Sequence, residues 1–181
     1  MRPATARCLR AAFCRESMSH VRYVLYAEQA DVERFPSLAR LFRALALSQL
    51  TRATTHYRTV SELLGIYPVE ATTHFVFDRT MDNLERSRDA EAEAAEEFYG
   101  PCLAVAKSQR ETGAARSMKC SAEVSRSEAA LIDRAFRETQ HAAEEPFIGD
   151  LCVCRACGDV VEGPPPESCN TCEGTEFTVV Q

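Results

Sequence analysis

Near its end the chain reads CVCRACGDVVEGPPPESCNTCEG, two Cys-x-x-Cys pairs, Cys154/Cys157 and Cys169/Cys172, separated by eleven residues. Two such pairs fold back on each other so that four thiolates converge on a tetrahedron, the geometry of a zinc ion or a single iron. Gly158, directly after the first pair, suits a turn whose amides point at sulfur, because a positive φ costs glycine little. Three prolines, Pro164 to Pro166, stiffen the connection. So short and core-poor a tail needs a metal more than it needs bridges between adjacent cysteines. Spacing alone does not choose between zinc and iron.

The other five of the nine cysteines are scattered, four of them among helix-like apolar residues. That distribution favours a reducing cytoplasm over a disulfide scaffold. Cys14, Cys102 and Cys120 read as small apolar fillers, with redox-active thiols as the alternative. No apolar run approaches a bilayer span, so no membrane association is expected. Residues 1–65 carry ten Lys+Arg against five Asp+Glu, residues 66–150 ten against seventeen, and residues 151–181 one against five. A basic first half and an acidic middle suit two halves that pack together, and not a nucleic-acid binder. The Glu91–Glu97 run reads mostly as a solvated helix face. The arginine-rich start reads as a plain helical N-terminus.

Residues 6–64 carry a helical pattern, interrupted near Arg34–Pro36. Gly65 and Pro68 end this pair, and a long connection, roughly 66–80, follows. A third helix is expected over about 81–109, bent or broken at Gly100–Pro101, and a fourth over about 113–144. Four long helices with one long connection predict a mainly α fold, an antiparallel four-helix bundle with one crossover. The division is 1–145 for the bundle, 146–150 for a linker, and 151–181 for a small β module.

The bundle repeats itself. Ala39-Arg40-x-Phe42-Arg43 has a counterpart in Ala115-Arg116-x-Met118-Lys119. Counting back 23 residues from Ala39 gives Glu16, and 24 from Ala115 gives Glu91. Counting forward ten gives Gln49 and Ser125, and three more give Arg52 and Glu128. Tyr23 lies seven residues after Glu16, and Tyr99 eight after Glu91. This register indicates a duplicated helical hairpin.

Taken together, these residues resemble the rubrerythrins, in which a ferritin-like four-helix domain precedes a rubredoxin-like (or zinc-ribbon-like) four-cysteine module. The likeness rests on Ala12-Phe13…Glu16-Ser17…Arg22-Tyr23, Tyr26-Ala27…Ala30, Leu38–Phe42, Asn83-Leu84, Phe98-Tyr99 and the CxxCG…CxxC tail. It implies an iron held by four cysteines that passes electrons, and a helical di-iron site that reduces hydrogen peroxide. It also implies a dimer in which one subunit's tail approaches the other's helices.

A di-iron site of this kind draws one glutamate from each of two helices and a Glu-x-x-His motif from each of the other two. Glu16 and Glu91 match the single glutamates. Gln49 and Arg52 stand where one Glu-x-x-His belongs, and Ser125 and Glu128 where the other does. Ala94 takes the place of a further glutamate, while Tyr23 and Tyr99 match the family's tyrosines near the irons. Three carboxylates in a dry interior would cost several kcal/mol each, on the order of a buried unpaired charge, or would protonate. The expectation is that Arg52 grips two or more of Glu16, Glu91 and Glu128, with Gln49 and Ser125 completing the hydrogen bonds. His20 and His56 read as partly exposed residues at the bundle end, with a shifted metal site as the alternative.

The second cysteine pair departs from the family. Glu173 follows Cys172 where a glycine is usual, Gly174 comes one place late, and Cys152 replaces the usual aromatic before the first pair. These changes are expected to open the site to water and make zinc a rival to iron. The reading is therefore a rubrerythrin-like protein with one Fe (or Zn) on Cys154, Cys157, Cys169 and Cys172 and a lost di-iron centre. It would transfer single electrons to a redox partner protein in oxidative-stress or iron metabolism, as a cytoplasmic homodimer. The alternatives are a peroxidase with an unorthodox di-metal site and a non-enzymatic scaffold with a structural zinc ribbon.

Overall fold

A computed structural model of the chain describes residues 1–60, 75–141 and 148–181. Its elements are helices α1 (Pro3–Val32), α2 (Pro36–Val60), α3 (Thr80–Glu93), a π-helical segment (Ala94–Tyr99), α4 (Gly100–Ser108) and α5 (Thr112–His141). Strands β1 (Leu151–Cys154), β2 (Val160–Glu162) and β3 (Phe177–Val180) follow. The fold is mainly α, a ferritin-like bundle with a small C-terminal sheet. The expected connection at roughly 66–80 falls largely outside the described residues, as do Gly65, Pro68, Pro146 and the last residues of the fourth helix.

Two hairpins build the bundle, α1 on α2 and α3/α4 on α5. Both turns end alike. Arg34 (φ 65°) and Arg110 (φ 60°) are left-handed. Phe35 donates its amide to Ala30 O at 2.8 Å and Glu111 to Ala106 O at 3.0 Å, a Schellman closure in each case. The two turns sit in the same register as the Ala39/Ala115 repeat, so the duplication extends to backbone geometry.

The third helix does not break at Gly100–Pro101. Pro101 has no N–H, and its ring would collide with the carbonyl one turn back. The wide π turn just before it accommodates the ring, and the chain remains helical through both residues. A π segment holds one residue more than the α turns it replaces. That extra residue explains why Tyr99 lies eight places after Glu91, whereas Tyr23 lies seven after Glu16.

The sheet is antiparallel in the order β2-β1-β3. All four residues of the central strand β1 are buried. Leu151, Val153 and Val160 join Leu38, Leu41, Phe42 and Leu45 of α2, and Ile132 and Phe136 of α5, in one core. The tail therefore seats on helices of its own chain.

Replacing Arg34 or Arg110 by glycine should raise stability by about 0.5–1 kcal/mol each, the left-handed penalty less glycine's entropy loss. Thermal unfolding checks this, and unchanged melting in both variants would contradict the turn geometry.

Candidate metal centre and buried ionic cluster

The four cysteines of the tail come together: one Sγ from each of Cys154, Cys157, Cys169 and Cys172 lies within 4.8 Å of the others. Cys154 Sγ is 3.6 Å from Cys172 Sγ, and Cys157 Sγ is 3.6 Å from Cys169 Sγ. Tetrahedral coordination with metal–sulfur bonds of about 2.3 Å sets sulfurs roughly 3.8 Å apart, so the set fits one metal ion. Burial pushes the Cys169 thiol up to about 12 and raises Cys157 further. Burial acts the same way on Cys154, yet the amides of Cys157 and Ala156 aimed at its sulfur outweigh it and lower this thiol. A metal cation removes the protons that burial would otherwise retain.

The two knuckles are near copies. Gly158 N donates to Cys154 O at 2.9 Å, and Glu173 N donates to Cys169 O at 2.8 Å. Glu173 therefore takes the glycine place of the second knuckle, in a left-handed conformation with φ 64°. Gly174 answers a different demand: a Cβ there would lie 3.3 Å from Cys172 Sγ and 3.4 Å from Cys154 Sγ. The expectation of a site opened to water holds only at Cys172, because Cys154, Cys157 and Cys169 are buried. Phe177 and Val124 of α5 pack against the sulfurs, and Cys152 is enclosed in β1. Asp159, 6% exposed, accepts from Thr171 Oγ1 at 3.0 Å and ties the first knuckle to the second.

Inside the bundle, Arg52 is 1% exposed and sits among three carboxylates. Its Nε lies 3.2 Å from Glu16 Oε2, and its Nη2 lies 3.3 Å from Glu91 Oε2 and 3.0 Å from Glu128 Oε2. Nη1 donates to Ser125 Oγ at 2.6 Å. Gln49 Nε2 and Tyr23 OH both donate to Glu91 Oε1, at 2.8 and 2.9 Å, and Ser125 Oγ donates to Glu91 Oε2 at 2.8 Å. Tyr99 OH donates to Glu16 Oε1. Each tyrosine thus serves the glutamate of the opposite hairpin. Ala94 is buried beside the cluster's helix and offers no polar atom.

Three carboxylates against one guanidinium would leave a charge of −2 in a dry interior, and protons resolve it. Burial raises Glu128 strongly and Glu16 as well, despite the pull of Arg52. Glu91 goes the other way: Arg52, Ser125 and Tyr23 overcome its burial and hold it ionised. The Ser48 hydroxyl lies next to buried Glu128 and pulls it down, but not enough to offset the burial that keeps the proton on. Tyr23 and Tyr99 are raised by burial, and remain neutral donors.

His56 is not a bundle-end residue. It is fully buried, with Nδ1 2.9 Å from Ser117 Oγ and Nε2 3.1 Å from Ser121 Oγ and 3.4 Å from Tyr99 OH. Burial, helped by the nearby charge of Arg52, lowers it to about 3, so it stays neutral. The sequence signal was its place one turn after Arg52, opposite serines spaced four apart on α5. His20 remains partly buried, with Nδ1 2.8 Å from Ala46 O.

Arg52 also joins the two sites. Gly158 (φ 87°) presses on α2: a Cβ there would fall 2.8 Å from Ser48 O and 3.2 Å from Arg52 Cγ. The first knuckle thus rests on the stem of the arginine whose head holds the carboxylates. A cavity of about 320 Å³ opens beside this contact, lined by Arg52, Thr55, Cys120 and Ser121 of the bundle and Cys157 and Cys172 of the tail.

Fold and site define a ferritin-like four-helix protein with a four-cysteine metal module. The rubrerythrin family model matches residues 7–143. The chain is 31% identical to rubrerythrin-2 of Clostridium acetobutylicum over 171 residues, covering 93% of this chain and 91% of that one. It is 23% identical to nigerythrin of Nitratidesulfovibrio vulgaris over 172 residues, 93% of this chain and 82% of that one. Among solved structures, fully reduced nigerythrin superposes with a TM-score of 0.87 at 21% identity, covering 99% of this chain and 88% of that chain. An open-pore ferritin from Archaeoglobus fulgidus superposes on 80% of this chain and 90% of its own with a TM-score of 0.67 at 15% identity. The chain belongs to the rubrerythrin family.

The buried groups titrate with opposite signs. Raised Glu16 and Glu128 add stability at low pH that is lost as pH rises through their folded values. His56, lowered from 6.5 to about 3, adds stability above 6.5 that is lost as pH falls toward 3. Denaturant unfolding of His56→Gln should therefore lack about 1.4 kcal/mol of destabilisation per pH unit below 6.5 that the parent protein shows. Parallel pH profiles for the two proteins would contradict a buried neutral imidazole.

Proposed function

We propose that this chain is a rubrerythrin-type iron protein whose working metal is one iron on Cys154, Cys157, Cys169 and Cys172, and whose bundle no longer assembles a di-iron centre. Iron in four thiolates supplies one-electron chemistry, cycling between ferric and ferrous forms. The residues around it do the rest. Amides at both knuckles hold the sulfurs in place, α2 and α5 pack against the module, and partly buried Cys172 is the edge through which a redox partner protein would exchange electrons.

The observation that carries the loss of the bundle site is the place of Arg52. Its nitrogens lie 3.0–3.3 Å from oxygens of Glu16, Glu91 and Glu128, the carboxylates that would have to hold metal in its place. The donor set there holds three carboxylates and no imidazole among the positions of the two motifs. Two dications beside a fixed guanidinium would meet its charge directly. The residues do not fit a di-iron centre, and no peroxide chemistry is assigned to them. A homodimer, a cytoplasmic location and a role in oxidative-stress or iron metabolism complete the reading; family membership supports these. No helix among the described residues is long and apolar enough to cross a membrane.

The second reading, a zinc ribbon on a scaffold, draws on Glu173 at a glycine position and on the exposure of Cys172. A visible spectrum separates the two. Protein purified from iron-replete cells should be coloured, bleach on reduction with dithionite, and consume hydrogen peroxide no faster than free ferrous iron does. A colourless protein carrying one zinc per chain would overturn the electron-transfer reading. Rapid peroxide turnover lost in Glu16→Gln would restore the enzyme.

A further inference from the structure

Two cysteines outside the metal centre meet across helices. Cys8 lies on α1 and Cys102 on α4, three residues after Tyr99. Cys102 is 8% exposed in a cluster with Leu9, Ala12, Tyr99 and Met118, and partly buried Cys8 packs against that cluster. The Cys8 thiol is close enough to Cys102 to raise it, so the two side chains meet within this cluster. Their surroundings are anchored. One to two turns before Cys8, Thr5 N and Oγ1 donate to Gln109 Oε1 at 3.1 and 2.8 Å, and Arg2 N donates to Glu111 Oε1 at 2.7 Å. The start of α1 is thereby tied to the turn that follows α4, so the thiol pair keeps its partners.

We propose that Cys8 and Cys102 form a reversible dithiol–disulfide pair oxidised by small hydroperoxides. Two thiols that meet in one cluster on neighbouring helices are placed for side-chain rotation to bring them to disulfide geometry. The chemistry is ordered by exposure. Burial, with the neighbouring Cys8 thiol, pushes Cys102 up to about 12, so this thiol stays protonated and is not the first to react. Cys8, the more accessible, attacks the peroxide: an S–O bond forms, the O–O bond breaks, and the oxidant leaves as water or an alcohol while Cys8 becomes a sulfenic acid. Cys102 then attacks that sulfur. An S–S bond forms, the S–O bond breaks, and the hydroxyl departs as water with the proton from Cys102. A dithiol reductant reverses the sequence. The bond would staple α1 to α4 around a loop containing α2 and the crossover, and long loops gain most from closure. This inference is independent of which metal the tail binds.

The test is thiol trapping on the native, metal-loaded protein after exposure to hydrogen peroxide. Peptide mapping should find Cys8 joined to Cys102 with the loss of two hydrogens, reversed by dithiothreitol, and the oxidised protein should melt several degrees higher. Cys102→Ser should leave Cys8 as a sulfinic acid, while Cys8→Ser should leave Cys102 unmodified. The proposal fails if, in the parent protein, Cys102 stays free while Cys8 is over-oxidised, if Cys8 links to a second chain, or if both remain reduced. Colour of the metal centre reads out separately, so a failure here does not touch the electron-transfer reading.

Discussion

One guanidinium among three buried carboxylates holds this structure together. Arg52 contacts Glu16 of α1, Glu91 of α3 and Glu128 of α5 from its place on α2, so a single side chain links all four arms of the bundle. Removing one partner of such a buried pair typically costs about 3–5 kcal/mol, because the remaining charge stays uncompensated. The cluster limits that exposure in two ways. Protons reside on Glu16 and Glu128, where burial outweighs the pull of Arg52, and neutral donors serve two of the carboxylates, Gln49, Tyr23 and Ser125 on Glu91 and Tyr99 on Glu16. With Glu91 ionised and protons on Glu16 and Glu128, the charge of Arg52 is matched within the cluster.

The same arginine explains how the tail sits. Its stem supports Gly158 of the first knuckle, and only glycine tolerates both the φ of 87° and the 2.8 Å approach to Ser48 O. In a protein with metals at both places, a bridge of this kind would join two redox centres. Here it joins the four-cysteine site to a salt-bridged core, and Cys172 is the least buried of the four cysteines. Pseudo-twofold symmetry survives around this asymmetry: Tyr23 and Tyr99 cross to each other's glutamates, and the two hairpin turns share one closure.

Much of this was written legibly in the chain. Cysteine spacing defined the metal module, helical periodicity gave four long helices, and the internal register placed Glu16, Gln49, Arg52, Glu91, Ser125 and Glu128 on mutually facing positions. The rest depended on partners distant in sequence. Burial of His56 comes from Ser117 and Ser121 across the bundle. Gly100–Pro101 reads as a break, and only the eight-residue spacing from Glu91 to Tyr99 hinted at the π segment that relieves it. Glu173 looks like a lost glycine because sequence does not report that its backbone still adopts the left-handed turn. Contact between Cys8 and Cys102 left no pattern at all, since their separation follows from helix packing.

Anomalous scattering at the iron edge, on crystals grown with excess ferrous salt under anaerobic conditions, tests the central substitution most directly. A single strong peak among the sulfurs of Cys154, Cys157, Cys169 and Cys172, with Arg52 density intact between the three glutamates, is the predicted map. A pair of peaks between Glu16, Glu91 and Glu128, with the Arg52 side chain swung away, would contradict it.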